Sequence, residues 1–150
     1  FLSGLFLLFS KRKVLLLSLI SNILLSIVMS VINVNLGIIT MIFGIILIPV
    51  LLNFTLLCLS NKVYNIASIF FMSFFNLIYY IISAKSIQNN PKFLKLASTY
   101  THQSNGFYVE MNTNLLSFTQ IVFIILFYFT LTFLIMIFFK RRVNHHAKTK

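Results

Sequence analysis

Acid is almost missing from this chain. Among 150 residues Glu110 is the one acidic side chain, and Asp is absent. A pair of carboxylates for general acid–base work is therefore excluded. Charge of either sign is scarce too, at 9% of residues, where a soluble domain carries about a quarter. A lone cysteine, Cys58, excludes an intrachain disulfide. It also fails as a lipid-attachment site, because "TLLC" has Leu57 where a small residue should precede the thiol. A small buried apolar role within a span is what remains for it.

What the chain does have is oil, with 59% of its residues hydrophobic. They fall in long blocks, without the alternation of a half-buried strand or the half-polar face of a surface helix. Blocks near the ~20 residues needed to cross a hydrocarbon core mark membrane-spanning helices. Four are legible, at about 14–34, 38–60, 66–84 and 115–139. At 1.5 Å per residue each reaches roughly 28 to 38 Å, enough to cross with modest tilt. The fold class expected is an all-α membrane protein, four transmembrane helices in an up-down bundle. One longer external loop, 85–114, joins the third and fourth, and a basic tail, 140–150, follows. Ahead of the first span, residues 1–13 read as an interfacial or truncated helix with a basic anchor. "FLSGLFLLFS" is too short to span alone and lacks the order of a signal peptide, since its cations follow the apolar segment.

The net charge of +11 sits mostly in short clusters at the ends of apolar blocks, as in "SKRKVLLL" and "FFKRRVNHHAKTK". That distribution anchors spans against anionic lipid. It does not build the folded basic surface that nucleic acid requires, so no nucleic-acid partner is expected. With four crossings, nine cations lie on one side: Lys11, Arg12, Lys13, Lys62, Lys140, Arg141, Arg142, Lys148 and Lys150. Three lie on the other, Lys85, Lys92 and Lys95. The excess places both the N-terminal basic cluster and the C-terminus in the cytoplasm of a cell-membrane protein.

The external segment contains the one long polar stretch, "STYTHQSNGFYVEMNTN". Before it, Asn90-Pro91 is a helix start, with Asn capping and Pro in the first turn. Phe93, Leu94 and Leu96 beside Lys92 and Lys95 suit a short helix on the membrane surface. Asn105-Gly106 marks a tight turn, and a small hairpin between "STYTHQ" and "FYVEM" is expected around it. His102 and Glu110 could face each other as acid and base, but no nucleophile accompanies them, and a polar loop in water needs no such role. Neighbouring His145 and His146 point about 100° apart on a helix and have no third ligand, so neither a metal nor a cofactor is expected.

Within the spans there is no Asp, Glu, His, Lys or Arg. Hydrolysis within the membrane and proton-driven transport are disfavoured on that ground. Polar residues do recur on the first span, where Ser18, Asn22, Ser26 and Ser30 repeat every four and share one drifting face. Small and hydroxyl side chains in such a stripe let a second helix approach, and Asn can bond across the contact. A polar pathway through the bilayer is the rival reading of the same stripe. Asn22, Asn53 and Asn76 lie at depths of roughly 10 to 15 Å by helix rise, close enough to share one layer. Pro49 should kink the second helix and release the carbonyl near Ile45, while Gly37 and Gly44 permit close approach or bending. The fourth span carries Phe on every side, as a helix largely facing lipid would.

"LLLSLISNILLSIV", "IILIPVLL", "NPKFLK" and "FFKRRVNHHAK" together resemble the Msa-like family of small staphylococcal multi-pass membrane proteins, modulators of a virulence regulator. The resemblance runs from about Lys13 to the end, as segment order and short matches. The loop with "THQSNGFYVEM" departs from it, and no functional residue is carried over. It implies a membrane component of a regulatory or signalling system. Three functions are carried forward. The first is a non-enzymatic accessory protein whose partners, besides the lipid bilayer, are other membrane proteins. The others are a permease or channel subunit and an immunity protein against a membrane-active toxin.

Overall fold

A chain inside hydrocarbon must satisfy every backbone N–H and C=O within itself, and an apolar block does so by becoming one continuous helix. The computed structural model describes residues 11–59, 65–99, 102–104, 106–109 and 113–148. Its elements are α1 (Lys11–Ile32), α2 (Ile38–Leu59), α3 (Ile66–Gln88), α4 (Pro91–Thr99), β1 (His102–Ser104), β2 (Phe107–Val109) and α5 (Phe118–Lys148). Of these, α1, α2, α3 and α5 are long and apolar enough to cross a membrane. The expected all-helical four-span architecture is thus the one observed.

The helix ends fall where local chemistry stops or starts them. α1 is already helical at Lys11, three residues before Val14, because Lys11, Arg12 and Lys13 are good helix formers. It stops at Ile32 because Asn33 takes φ 49°, the left-handed conformation that Asn tolerates. The turn to α2 closes with Asn35 N–H on Ile32 C=O at 3.1 Å and Gly37 N–H on Val34 C=O at 2.9 Å. Gly37 sits at φ 102°, open to glycine at little cost. At the start of α3 the Asn65 side chain accepts from Ser68 N–H at 2.8 Å.

α3 runs on to Gln88, four residues past the expected end at Ala84, so Lys85 belongs to its last turn rather than to the loop. Nothing halts it before Asn89-Asn90-Pro91, where proline disfavours helix for the residue ahead of it. α5 starts at Phe118 rather than Leu115, since Ser117 Oγ accepts from Gln120 N–H at 3.3 Å and caps it. The Leu115 carbonyl is held outside the helix by the Tyr80 hydroxyl at 2.6 Å. At its far end α5 continues through the basic cluster to Lys148, past the expected limit at Phe139, for no Gly or Pro interrupts it. The N-terminal segment 1–10, Ser60 to Tyr64 and Glu110 lie outside the described residues.

α1 packs chiefly on α3, and α3 on α5, with α2 against both outer members. The C-terminal ends of α1 and α3 meet: Asn33 Nδ2 donates to Ser86 C=O at 3.2 Å and to Ser86 Oγ at 3.3 Å. These helices are therefore parallel, as alternate members of an up-down bundle must be. Close approach of α1 to α2 is fixed at Gly44, where a Cβ would come within 2.9 Å of Met29 Sδ. Between α3 and α5, α4 lies on the bundle end with Phe93 and Ala97 buried and Leu94 exposed. Asn90 Oδ1 accepts from Lys92 N–H at 3.0 Å at its start. β1 and β2 form an antiparallel ribbon pairing His102 with Val109, Gln103 with Tyr108 and Ser104 with Phe107. Large apolar side chains are exposed on all four spanning helices, among them Leu24, Phe43, Phe74 and Phe123. Water would oppose such a belt, and lipid would cover it.

Candidate functional site

Two apolar clusters fill the bundle, one toward each end. One contains Met29, Met41, Ile45, Leu77, Tyr79, Tyr80, Ile124 and Tyr128. The other contains Val14, Leu56, Leu57, Ile69, Met72 and Met136. On every spanning helix a polar residue stands between the two. On α1 these are Ser18, Asn22 and Ser26, on α2 Asn53, on α3 Ser73 and Asn76, and on α5 Thr132, all buried. Four helices thus place their polar side chains at mid-bundle, and none of these groups is ionisable in the range of ordinary pH.

The α1 stripe is the helix's own packing surface. Ser18, Asn22 and Ser26 are fully buried together with Val14 and Met29, while Ser30 is half-buried nearer the end. Several of its polar groups bond within α1. Asn22 Nδ2 donates to Ser18 C=O at 2.8 Å, Ser26 Oγ to Ile23 C=O at 2.6 Å, and Ser30 Oγ to Ser26 C=O at 2.8 Å. Satisfied on their own helix, small hydroxyls let α3 approach closely without needing a cross-helix partner.

The three amides do not bond to one another. Asn53 Nδ2 donates instead to Thr132 Oγ1 at 2.7 Å, which ties α2 to α5. Asn22 is turned to its own helix, and its Oδ1 has no hydrogen-bond partner among the described residues. Asn76 is fully buried, and among the described residues neither its Nδ2 nor its Oδ1 has a partner. Ser68 Oγ and Ser83 Oγ, on the same helix, are in the same condition. An unpaired amide in so apolar a setting costs on the order of 1–3 kcal/mol, so Asn76 is where the interior stands furthest from saturation.

Pro49 gives the site its second feature. α2 runs through it as one helix. Lacking an N–H, Pro49 leaves the Ile45 carbonyl without its usual donor, and the Tyr128 hydroxyl supplies one at 2.6 Å. One residue earlier the Tyr79 hydroxyl donates to Gly44 C=O at 3.1 Å. Tyr128 thus replaces the backbone donor missing at the proline turn, and Tyr79, from a third helix, adds a bond to the neighbouring carbonyl. The freed carbonyl follows from the sequence; the tyrosines that meet it, and Thr132 opposite Asn53, do not. Their signal is that a mid-span tyrosine must find an acceptor for its hydroxyl, and the proline carbonyl is the acceptor in most need.

Among the described residues no group of three His, Cys, Asp or Glu lies together. His102 belongs to β1, and the companion in the acid–base reading, Glu110, lies outside the described residues. His145 and His146 are consecutive positions of α5. Searches against family models, curated proteins and solved structures find no match to the chain.

Proposed function

We propose that this is a non-enzymatic multi-pass protein of the cell membrane, an accessory or regulatory component acting by contact with other membrane proteins. The observation that carries the reading is the mid-bundle layer. It is contributed by all four spanning helices, buried and uncharged, with Asn53 bonded across to Thr132 and Asn22, Ser26 and Ser73 bonded within their own helices. Such an interior holds hydroxyls but no acid or base to activate them, which supports contact as the mode of action. The α1 stripe is enclosed against α3, so contact falls to the outer face, where α4 lies on the bundle end. The resemblance to the Msa-like proteins points the same way, toward regulation. In this reading the N-terminal basic cluster and the C-terminus face the cytoplasm, and α4 faces outward.

Photocrosslinking in native membranes tests it. A photoreactive residue at Leu94 should yield one discrete adduct with another membrane protein, and one at lipid-facing Leu51 should yield none. Equal, diffuse adducts from both positions would refute the contact role.

A transport subunit is the second reading, and the unpaired amide of Asn76 is the observation that favours it. A buried donor and acceptor with no partner among the described residues is where a polar solute would gain most. Solute flux through vesicles containing the purified chain, abolished by Asn76→Leu, would select this reading over the first.

A further inference from the structure

At the end of the bundle that carries α4, a cleft of about 420 Å³ lies between that helix and the α1–α2 turn. Its walls are Val34, Asn35 and Gly37 from the turn and Lys92, Lys95 and Leu96 from α4. Both walls are fixed. On the turn side, Asn33 donates to Ser86 while its Oδ1 accepts from Val34 N–H at 2.9 Å, pinning the turn to α3. On the helix side, Phe93 is seated in the apolar cluster of that end, with Tyr79 and Tyr80. The floor is open at Gly37, where a Cβ would meet nothing within 4 Å. Asn35 Oδ1 accepts from Lys92 Nζ at 3.4 Å and aims that ammonium across the mouth.

We propose that this cleft binds the phosphate of an anionic lipid headgroup. Two lysines one turn apart, Lys92 and Lys95, line a single cavity. The cleft sits just beyond the ends of α1 and α3, at the depth where a spanning helix hands over to the headgroup region. Leu94, half exposed on the same short helix, offers an apolar surface beside it, as interfacial helices do. Lysine ammonium groups bind phosphate as point charges with three donors each, and low water content at the interface strengthens them. A lipid phosphodiester is favoured over free phosphate because only the lipid brings its acyl chains to the exposed apolar belt below.

The test uses the full chain in phosphatidylcholine nanodiscs doped with phosphatidylglycerol, with retained lipid counted by native mass spectrometry after release. The unaltered chain should hold phosphatidylglycerol preferentially. Lys92→Gln with Lys95→Gln should weaken that retention on the order of twentyfold, while Lys85→Gln, outside the cleft, should leave it unchanged. Adding Ser98→Lys and Thr99→Lys to the double variant restores net charge on exposed positions of α4 without refilling the cleft, and should not restore retention. All these positions are exposed, so helicity by circular dichroism should be unaltered. Retention that survives the double variant, or returns with the relocated charges, overturns the proposal. So does protection of Lys92 and Lys95 from acylation by inorganic phosphate in detergent but not by phosphatidylglycerol, which would make the ligand a free anion.

Discussion

Pro49 removes one donor from α2, and Tyr128 returns one from α5 at 2.6 Å. The two residues should therefore be energetically coupled. Tyr128→Phe strips the hydroxyl and leaves Ile45 C=O buried without a partner, at a cost of about 1 kcal/mol on the scale of bonds between spanning helices. In a Pro49→Ala background the new N–H can reach Ile45, and the same substitution should cost close to nothing. Reversible unfolding in mixed micelles, run as a double-mutant cycle, reads the difference. An equal penalty in both backgrounds would show that the tyrosine is not answering the proline. The amides offer a contrast of the opposite sign. Asn53→Leu breaks the bond to Thr132 and should destabilise by about 1 kcal/mol. Asn76→Leu removes an amide with no partner among the described residues, and should be neutral or stabilising. At this scale the sequence shows which residues are polar and that Ile45 is freed. Which side chain meets which depends on helix rotation, and residue spacing along one helix does not report rotation against another.

Elements were more legible than residues, because a run of apolar side chains has few options in lipid. The errors lie at ends, each with a chemical cause. Hydropathy drops at Lys85 and at Lys140, yet helix persists through both, since lysine and arginine favour helix as much as the apolar residues before them. Helix ends are set by conformation instead: α1 stops at Asn33, α3 stops at Asn89-Asn90-Pro91, and α5 starts after Ser117. The α1 stripe was visible as a four-residue period, and the structure places it against α3. Enlarging it should therefore damage the fold itself. Ser26→Leu inserts a large side chain where the site is fully buried, and overpacking of that kind costs about 1–3 kcal/mol. Ile27→Leu, one residue on and facing lipid, should change unfolding by less than about 0.5 kcal/mol. If the two variants unfolded alike, α1 would have to be turned away from α3 in the membrane.

Over the whole molecule, charge decides which way the bundle is threaded, whereas packing is indifferent to it. The four helices would fit together equally well with either end inside, so orientation rests on cations in the short connections. In the proposed orientation nine of them, including the basic cluster at residues 11–13 and the tail, lie on the cytoplasmic side against three outside. The same asymmetry predicts how to abolish the preference. Changing Lys11, Arg12, Lys13, Lys140, Arg141 and Arg142 to Gln removes six of the nine, leaving three on each side. In a Cys58→Ala background, Ser98→Cys on exposed α4 should react with a membrane-impermeant maleimide in intact cells when the native cations are present. With the six neutralised, the signal that orients the chain is gone, and roughly half of the molecules should become reactive only after permeabilisation. The spans themselves are untouched by these changes, so membrane insertion should persist in both cases. Complete labelling of intact cells in the neutralised variant would mean that something other than the cation balance, such as the polar hairpin segment, sets the direction of threading.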